Sequence, residues 1–142
     1  MTFVRWVVLL SFFSLSVGFL SASEAPPITP EELKMTSDPL APGAPAVILY
    51  RQVDRDDSGQ TAHEFNFVRI KILKDEGRKY GDVEIPFYKE HGLNIVNIHA
   101  RTIRPDGSEL PFQGKAFDKM IEKAKGVKLL AKTFSLPEVQ PG

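Results

Sequence analysis

His63-Glu64-Phe65-Asn66-Phe67-Val68-Arg69-Ile70-Lys71-Ile72-Leu73-Lys74 is the stretch on which the fold turns. Side chains along a strand alternate between two faces. Phe65 and Phe67 share one parity, whereas Val68, Ile70 and Ile72 share the other. Such a change of phase implies a bulge, or a strand that changes the face it buries. Strands that cross between the two layers of a sandwich behave this way. On that reading Arg69 and Lys71 are expected to point outward.

Strand texture continues on both sides. Ala46-Val47-Ile48-Leu49-Tyr50 is a β-branched apolar run that extends to Val53, and Asp54 to Gln60 forms a polar loop. Downstream, Asp75-Glu76-Gly77 signals a turn. Val83, Ile85 and Phe87 alternate with Asp82, Glu84 and Pro86, and Pro86 argues for an edge position. Leu93 to Arg104 reads as a longer strand with a second phase change near Ile95-Val96. Pro105-Asp106-Gly107 supplies turn chemistry, with Ser108 to Phe112 returning as a hairpin partner. In Ala116 to Lys125, Phe117, Met120, Ile121 and Ala124 fit helical spacing, but the turn pair Lys125-Gly126 favours a hairpin with Val127 to Leu136. Six or seven short strands with little helix predict an all-β fold, an antiparallel β-sandwich over residues 46–142.

The N-terminal part has a different character. Arg5 precedes the apolar run Trp6 to Leu20, and Ser21-Ala22-Ser23 supplies small residues before Glu24. Fifteen helical residues reach about 22 Å, short of the roughly 30 Å of a bilayer core. Residues 1–23 therefore read as a signal helix cleaved after Ser23, leaving no membrane span, with the mature chain exported to the periplasm or the extracellular space. Residues 24–45 form a Pro-rich segment. Within it Thr29-Pro30-Glu31-Glu32 predicts a capped helical turn over Pro30 to Met35, followed by an extended linker through Pro39, Pro42 and Pro45.

Lys+Arg and Asp+Glu number 18 each, so loss of Arg5 leaves 17 against 18. That balance lacks the basic footprint of a nucleic-acid binder. Cysteine is absent, which excludes disulfides and thiol chemistry within the chain. Phosphate-loop, nucleophile-elbow, dinucleotide and HExxH zinc patterns are also absent. Asp54-x-Asp56-x-Ser58-Gly59 fits the start of a calcium loop, but Phe65 stands where the bidentate Glu belongs, and a solvated loop explains the same residues. A zinc site needs three or four convergent ligands, and His63, His91 and His99 read instead as surface or hydrogen-bonded structural histidines, while Glu84, Glu90 and Glu109 do not stand out as a catalytic pair. The lysines at 115, 119, 123, 125, 128 and 132 read as a solvated face. Neither a cofactor nor an enzymatic activity is expected. Arg101 and Arg104 are the candidate binding residues for a carboxylate or phosphate. The commoner role of arginines beside a turn is to pair with acids such as Asp106 or Glu109.

Several stretches resemble one known family in their order along the chain. They are Glu32-Leu33-Lys34-Met35, Ala44 to Tyr50, Ile70-Lys71-Ile72-Leu73, Ala100-Arg101-Thr102-Ile103-Arg104-Pro105-Asp106-Gly107, and Phe134-Ser135-Leu136-Pro137. The family is the N-terminal domain of unknown function (domain of unknown function 3857) found ahead of a transglutaminase-like domain in bacterial exported proteins. The resemblance runs from about Pro30 to Gly142. Its most specific parts are Arg101, Thr102, Arg104, Pro105, Asp106 and Gly107, followed by Leu136 and Pro137 with the residues up to Gly142. It implies a β-sandwich module, partial here because relatives continue with further strands and a Cys/His/Asp domain. The function it implies is non-catalytic: an accessory to that transglutaminase- or protease-like domain, for recognition of a cell-envelope protein or cell-wall polymer. The alternative is a stand-alone glycan- or small-ligand-binding module that stacks Phe65, Phe67, Phe87, Tyr88 or Phe112 on sugars, although such rings are more often buried.

Overall fold

A computed structural model of the chain describes residues 25–89, 94–124 and 127–142. The expected signal helix, its cleavage point, Glu90, His91 and the Lys125-Gly126 turn lie outside the described residues. Among those described, no helix is long and apolar enough to cross a membrane.

The fold is mostly strand, and every pairing is antiparallel. Strands β1 (Ala46–Asp56) and β2 (His63–Ile72) form one sheet. β3 (Asp82–Tyr88), β6 (Phe117–Ala124) and β7 (Val127–Ser135) form a second, in the order β3-β7-β6. β4 (Arg101–Ile103) and β5 (Glu109–Pro111) make a short hairpin. The all-β, antiparallel expectation holds, with the strands distributed over three small sheets. Pro86 lies on β3, an edge strand as its missing N–H requires. Residues 117–124 are strand, and β6 pairs with β7 down to Ala124 opposite Val127.

The core of the three-stranded sheet is small. Phe87, Leu130 and Phe134 are buried and Ala131 is fully enclosed. Phe87 and Leu130 are direct cross-strand partners, so their side chains share a face. Phe112, just beyond β5, brings its ring within 5.0 Å of Phe134 and so ties the hairpin to β7.

Helix α1 (Pro30–Lys34) is built as its capping box dictates. Thr29 Oγ1 accepts from the Glu32 amide at 3.2 Å, and the Glu32 carboxylate accepts from the Thr29 amide at 2.9 Å. The helix settles on β2. Arg69 bonds the Glu32 carboxylate at 3.0 Å and reaches the Pro26 and Pro27 carbonyls. Lys71 donates to the Leu33 carbonyl at 2.8 Å, where an unpaired carbonyl of the last helical turn needs a donor. Arg69 and Lys71 therefore face inward, contrary to the sequence expectation, and Lys71 is buried. The side chains alternate, but apolar character was the wrong guide to which face is covered. The polar groups are matched by helix carbonyls and a carboxylate, so these two positions bury polar side chains at satisfied sites.

The change of phase in β2 also has a different physical form. The register shift lies in β1, between Ile48 and Tyr50, and β2 alternates regularly. Arg69 and Lys71 meet α1 and the segment before it, and Phe67, on the same face, lies against the Tyr50 ring. Val68 and Ile70 turn to the opposite face together with Ile48 and remain exposed.

Four local expectations are corrected. The linker before β1 is turned rather than extended: Ala41 and Ala44 amides bond back to Asp38 and Ala41, and Lys74 clamps the Gly43 carbonyl at 2.7 Å. The turn at Asp75-Glu76-Gly77 opens a 3-10 helix, Asp75–Gly81. The loop after β1 begins later than Asp54, because the strand runs to Asp56. Of the long strand expected from Leu93 to Arg104, the strand among the described residues is Arg101–Ile103, flanked by backbone bonds from Phe112 to Ala100 and from Arg104 to Ser108. Residues 94–100 are irregular, and Asn97 sits in the left-handed region at φ 56°, a conformation that asparagine tolerates and a strand forbids.

Candidate functional site

The β4–β5 turn is as its residues demand. Gly107 donates from its amide to the Arg104 carbonyl at 2.9 Å, with Pro105 and Asp106 at the central positions. Gly107 then takes φ 83°, the left-handed position that closes a three-residue hairpin loop. Asp106 Oδ1 accepts from the Ser108 amide at 2.9 Å. Hydrogen bonds from Ser108, helped by the nearby Arg104 charge, hold the Asp106 carboxyl below its usual range.

The C-terminal segment, residues 136–142, crosses this hairpin as a strap. Thr102 Oγ1 donates to the Pro137 carbonyl at 2.5 Å. Arg104 grips the Glu138 carboxylate through Nε at 3.1 Å and Nη2 at 2.7 Å, which raises the arginine's already high pKa. The Leu136 amide bonds the Gly81 carbonyl at 2.8 Å, and the Gly142 amide bonds the Ile72 carbonyl at 3.2 Å. Gly81 is buried against Val139, whose Cγ2 is 2.5 Å from where a Cβ would stand. The strap thus joins the hairpin, the 3-10 helix and the end of β2. The two most specific motifs of the sequence, separated by some thirty residues, meet in space.

Arg101 and Arg104 do not converge. Arg101 and Ile103 line a concavity of about 350 Å³ beneath Pro26, Ile28 and Leu33, with Arg69 and Glu109 on its walls. Arg104 is outside that wall, on the strap. Arg101 pairs with Glu109 at 3.2 Å and Arg69 with Glu32 at 3.0 Å, so both cations facing the concavity already hold a carboxylate. Each candidate binding arginine therefore takes the commoner role, tying strand or loop to an acid. Glu109 was a named candidate partner. Glu138 was missed, and no local signal identifies it, because its partner is distant in the chain.

The other candidates stay apart. Asp56 is committed to Ser58 through its amide and hydroxyl, and those two bonds lower its pKa. Among the described residues no three His, Asp or Glu side chains group closely enough to hold a metal ion. Of the lysine series, Lys119 pairs with Glu84 at 2.7 Å and Lys132 with Asp118. Of the five candidate stacking rings, Phe87 is buried, Phe67 and Phe112 are half-buried, and Phe65 and Tyr88 are exposed on different sheets.

No family model, curated protein or solved structure matches the chain. The resemblance noted above rests on its quoted motifs alone.

Proposed function

We propose that this chain is a non-catalytic, exported binding module that works beside a transglutaminase- or protease-like domain, with a sandwich completed by what it binds. The observation that carries this reading is the open aliphatic face of the β1–β2 sheet. Ile48, Val53, Val68 and Ile70 are all exposed there, with relative exposures from 39% to 60%. Adjacent exposed aliphatic side chains on a strand pair mark a contact surface for another protein. Such a face suits a protein partner better than a sugar polymer, which needs convergent polar groups. The site arginines support a structural role, since each holds an internal carboxylate. Phe65 and Tyr88 belong to different sheets, and this layout does not favour the glycan-binding alternative.

The test has two arms. Purified protein assayed for peptidase and transglutaminase turnover should be blank, and turnover abolished by a point substitution would overturn the reading. An environment-sensitive apolar dye should bind the chain. Ile48→Lys/Val68→Lys/Ile70→Lys should lose that binding with an unchanged strand spectrum, because all three side chains lie on the exposed face of the sheet. Equal dye binding by the variant would remove the proposed surface.

A further inference from the structure

We propose that β6 is the seam of a symmetric homodimer, in which a second copy of this chain adds its own β6 antiparallel to the first. Among the described residues β6 is an outer strand of the β3-β7-β6 sheet, with β7 its one strand neighbour. Pairing across it would give a continuous six-stranded sheet with a two-fold axis between Met120 and Ile121, the isologous arrangement expected of a self-complementary edge.

The occupant is identified by charge. Asp118-Lys119-Met120-Ile121-Glu122-Lys123 reverses sign when read backwards about its centre. Under the two-fold, Asp118 of one copy stands opposite Lys123 of the other, and Lys119 stands opposite Glu122. Each seam then carries four cross-strand pairs of opposite charge, with Met120 and Ile121 facing their counterparts at the axis. A different protein would need the mirror-image pattern, which a second copy carries automatically.

The backbone makes this register available. In a regular strand, residues an odd distance apart point to opposite faces, so 118 and 123 could not pair directly. β6 is not regular. Its register against β7 shifts between Met120 and Glu122, with Asp118 opposite Lys132, Met120 opposite Leu130 and Lys123 opposite Lys128. Those three β7 residues alternate by two, so Asp118, Met120 and Lys123 share one face. Lys119 and Glu122, opposite Ala131 and Leu129, share the other face. The bulge at Ile121 is the feature that brings the charge pattern into phase.

The existing ion pairs leave half of the pattern waiting. Asp118 is bonded to Lys132 and Lys119 to Glu84 within the chain. Glu122 and Lys123 are exposed and have no ion-pair partner among the described residues. The partnerless half of one copy meets the anchored half of the other. Met120 and Ile121 at the axis are exposed by 51% and 46%, and Phe117 by 65%, apolar surface on an edge strand that a second copy would cover.

Sedimentation velocity on the full chain at low ionic strength tests the proposal. The wild type should be dimeric, and the dimer should weaken as salt screens the exposed pairs. E122K/K123E exchanges two charges that have no ion-pair partner among the described residues and preserves composition. It places like charges at all four pairs and should weaken the dimer by about tenfold or more. D118K and K123D should each be monomeric, and an equimolar mixture should form a heterodimer because opposite signs again face each other. A monomeric wild type at the highest soluble concentration overturns the proposal. So does an E122K/K123E variant as dimeric as wild type, or a mixture of folded D118K and K123D that stays monomeric. Should D118K not fold, for loss of the Lys132 pair, the exchange variant decides alone.

Discussion

Arg104 and Glu138, 34 residues apart, hold each other at 2.7 Å and fasten the C-terminal strap to the β4–β5 hairpin. Both side chains are partly open to water, at 32% and 59% exposure, so the pair adds little to global stability. Its effect is local: it decides whether residues 136–142 lie on the hairpin or leave it. Arg104→Glu should make the C-terminal segment markedly more susceptible to limited proteolysis while the global unfolding midpoint changes little. Glu138→Arg should do the same, and the double exchange should restore protection. A double variant as susceptible as either single one would show that the strap is held by other contacts.

Gly81 meets Val139 more closely than any side chain allows. A Cβ there would lie 2.5 Å from Val139 Cγ2. Gly81→Ala should therefore destabilise the protein by about 1–3 kcal/mol, the usual cost of forcing a methyl into a packed contact. Val139→Ala removes both γ-methyls and leaves its own Cβ at 3.1 Å, so the double variant should recover part of the loss in a denaturant titration. If Gly81→Ala is equally costly in both backgrounds, the close approach is not the cause.

Much of this architecture was legible from local chemistry. The capping box at Thr29 and Glu32, the Pro105-Asp106-Gly107 turn and the edge position of Pro86 follow from rules that act over a few residues, and each appears as expected. The β6 strand was harder, because Phe117, Met120 and Ile121 satisfy helical spacing as well. What decides it is pairing with β7, a contact that periodicity cannot express. Arg69 and Lys71 were misplaced for a related reason. Their parity in β2 is plain, but the partners that make that face tolerate charge lie 37 and 38 residues earlier, in Glu32 and Leu33. The strap is the extreme case. Thr102 and Arg104 were singled out as motif residues, yet nothing in their neighbourhood points to Pro137 or Glu138.

Lys71 provides a pH test of its burial. Desolvation lowers its pKa, partly opposed by the Glu32 carboxylate. The sign follows from proton linkage. Below the lowered folded pKa, both folded and unfolded forms are protonated and the full cost of burying the charge applies. As pH rises from that value towards the ordinary 10.5, the folded form releases its proton first and the cost is lifted. The wild type should therefore gain stability relative to Lys71→Met across that window, and the difference between them should be flat at lower pH. Paired urea titrations from neutral pH to about 10.5 would read it. A relative loss with rising pH would mean that the ammonium form is favoured by its neighbours.

Ala131 is the one fully enclosed side chain of the described core, and the Lys119–Glu84 ion pair spans the strand on which it lies. It lies in the central strand β7, flanked by Pro86 on β3 and Lys119 on β6. Lys119 reaches over β7 to Glu84 at 2.7 Å, linking the two outer strands across the middle one. A longer side chain at 131 would occupy the path of that lysine. Ala131→Leu should thus cost about 1–3 kcal/mol from overpacking and should also break the bridge. The two effects separate in a double-mutant cycle. With the bridge already removed by Lys119→Ala, the lysine no longer competes for the space, and Ala131→Leu should be distinctly better tolerated than in the wild type. Equal penalties in the two backgrounds would place the constraint in the backbone of the sheet rather than in the side chain that spans it.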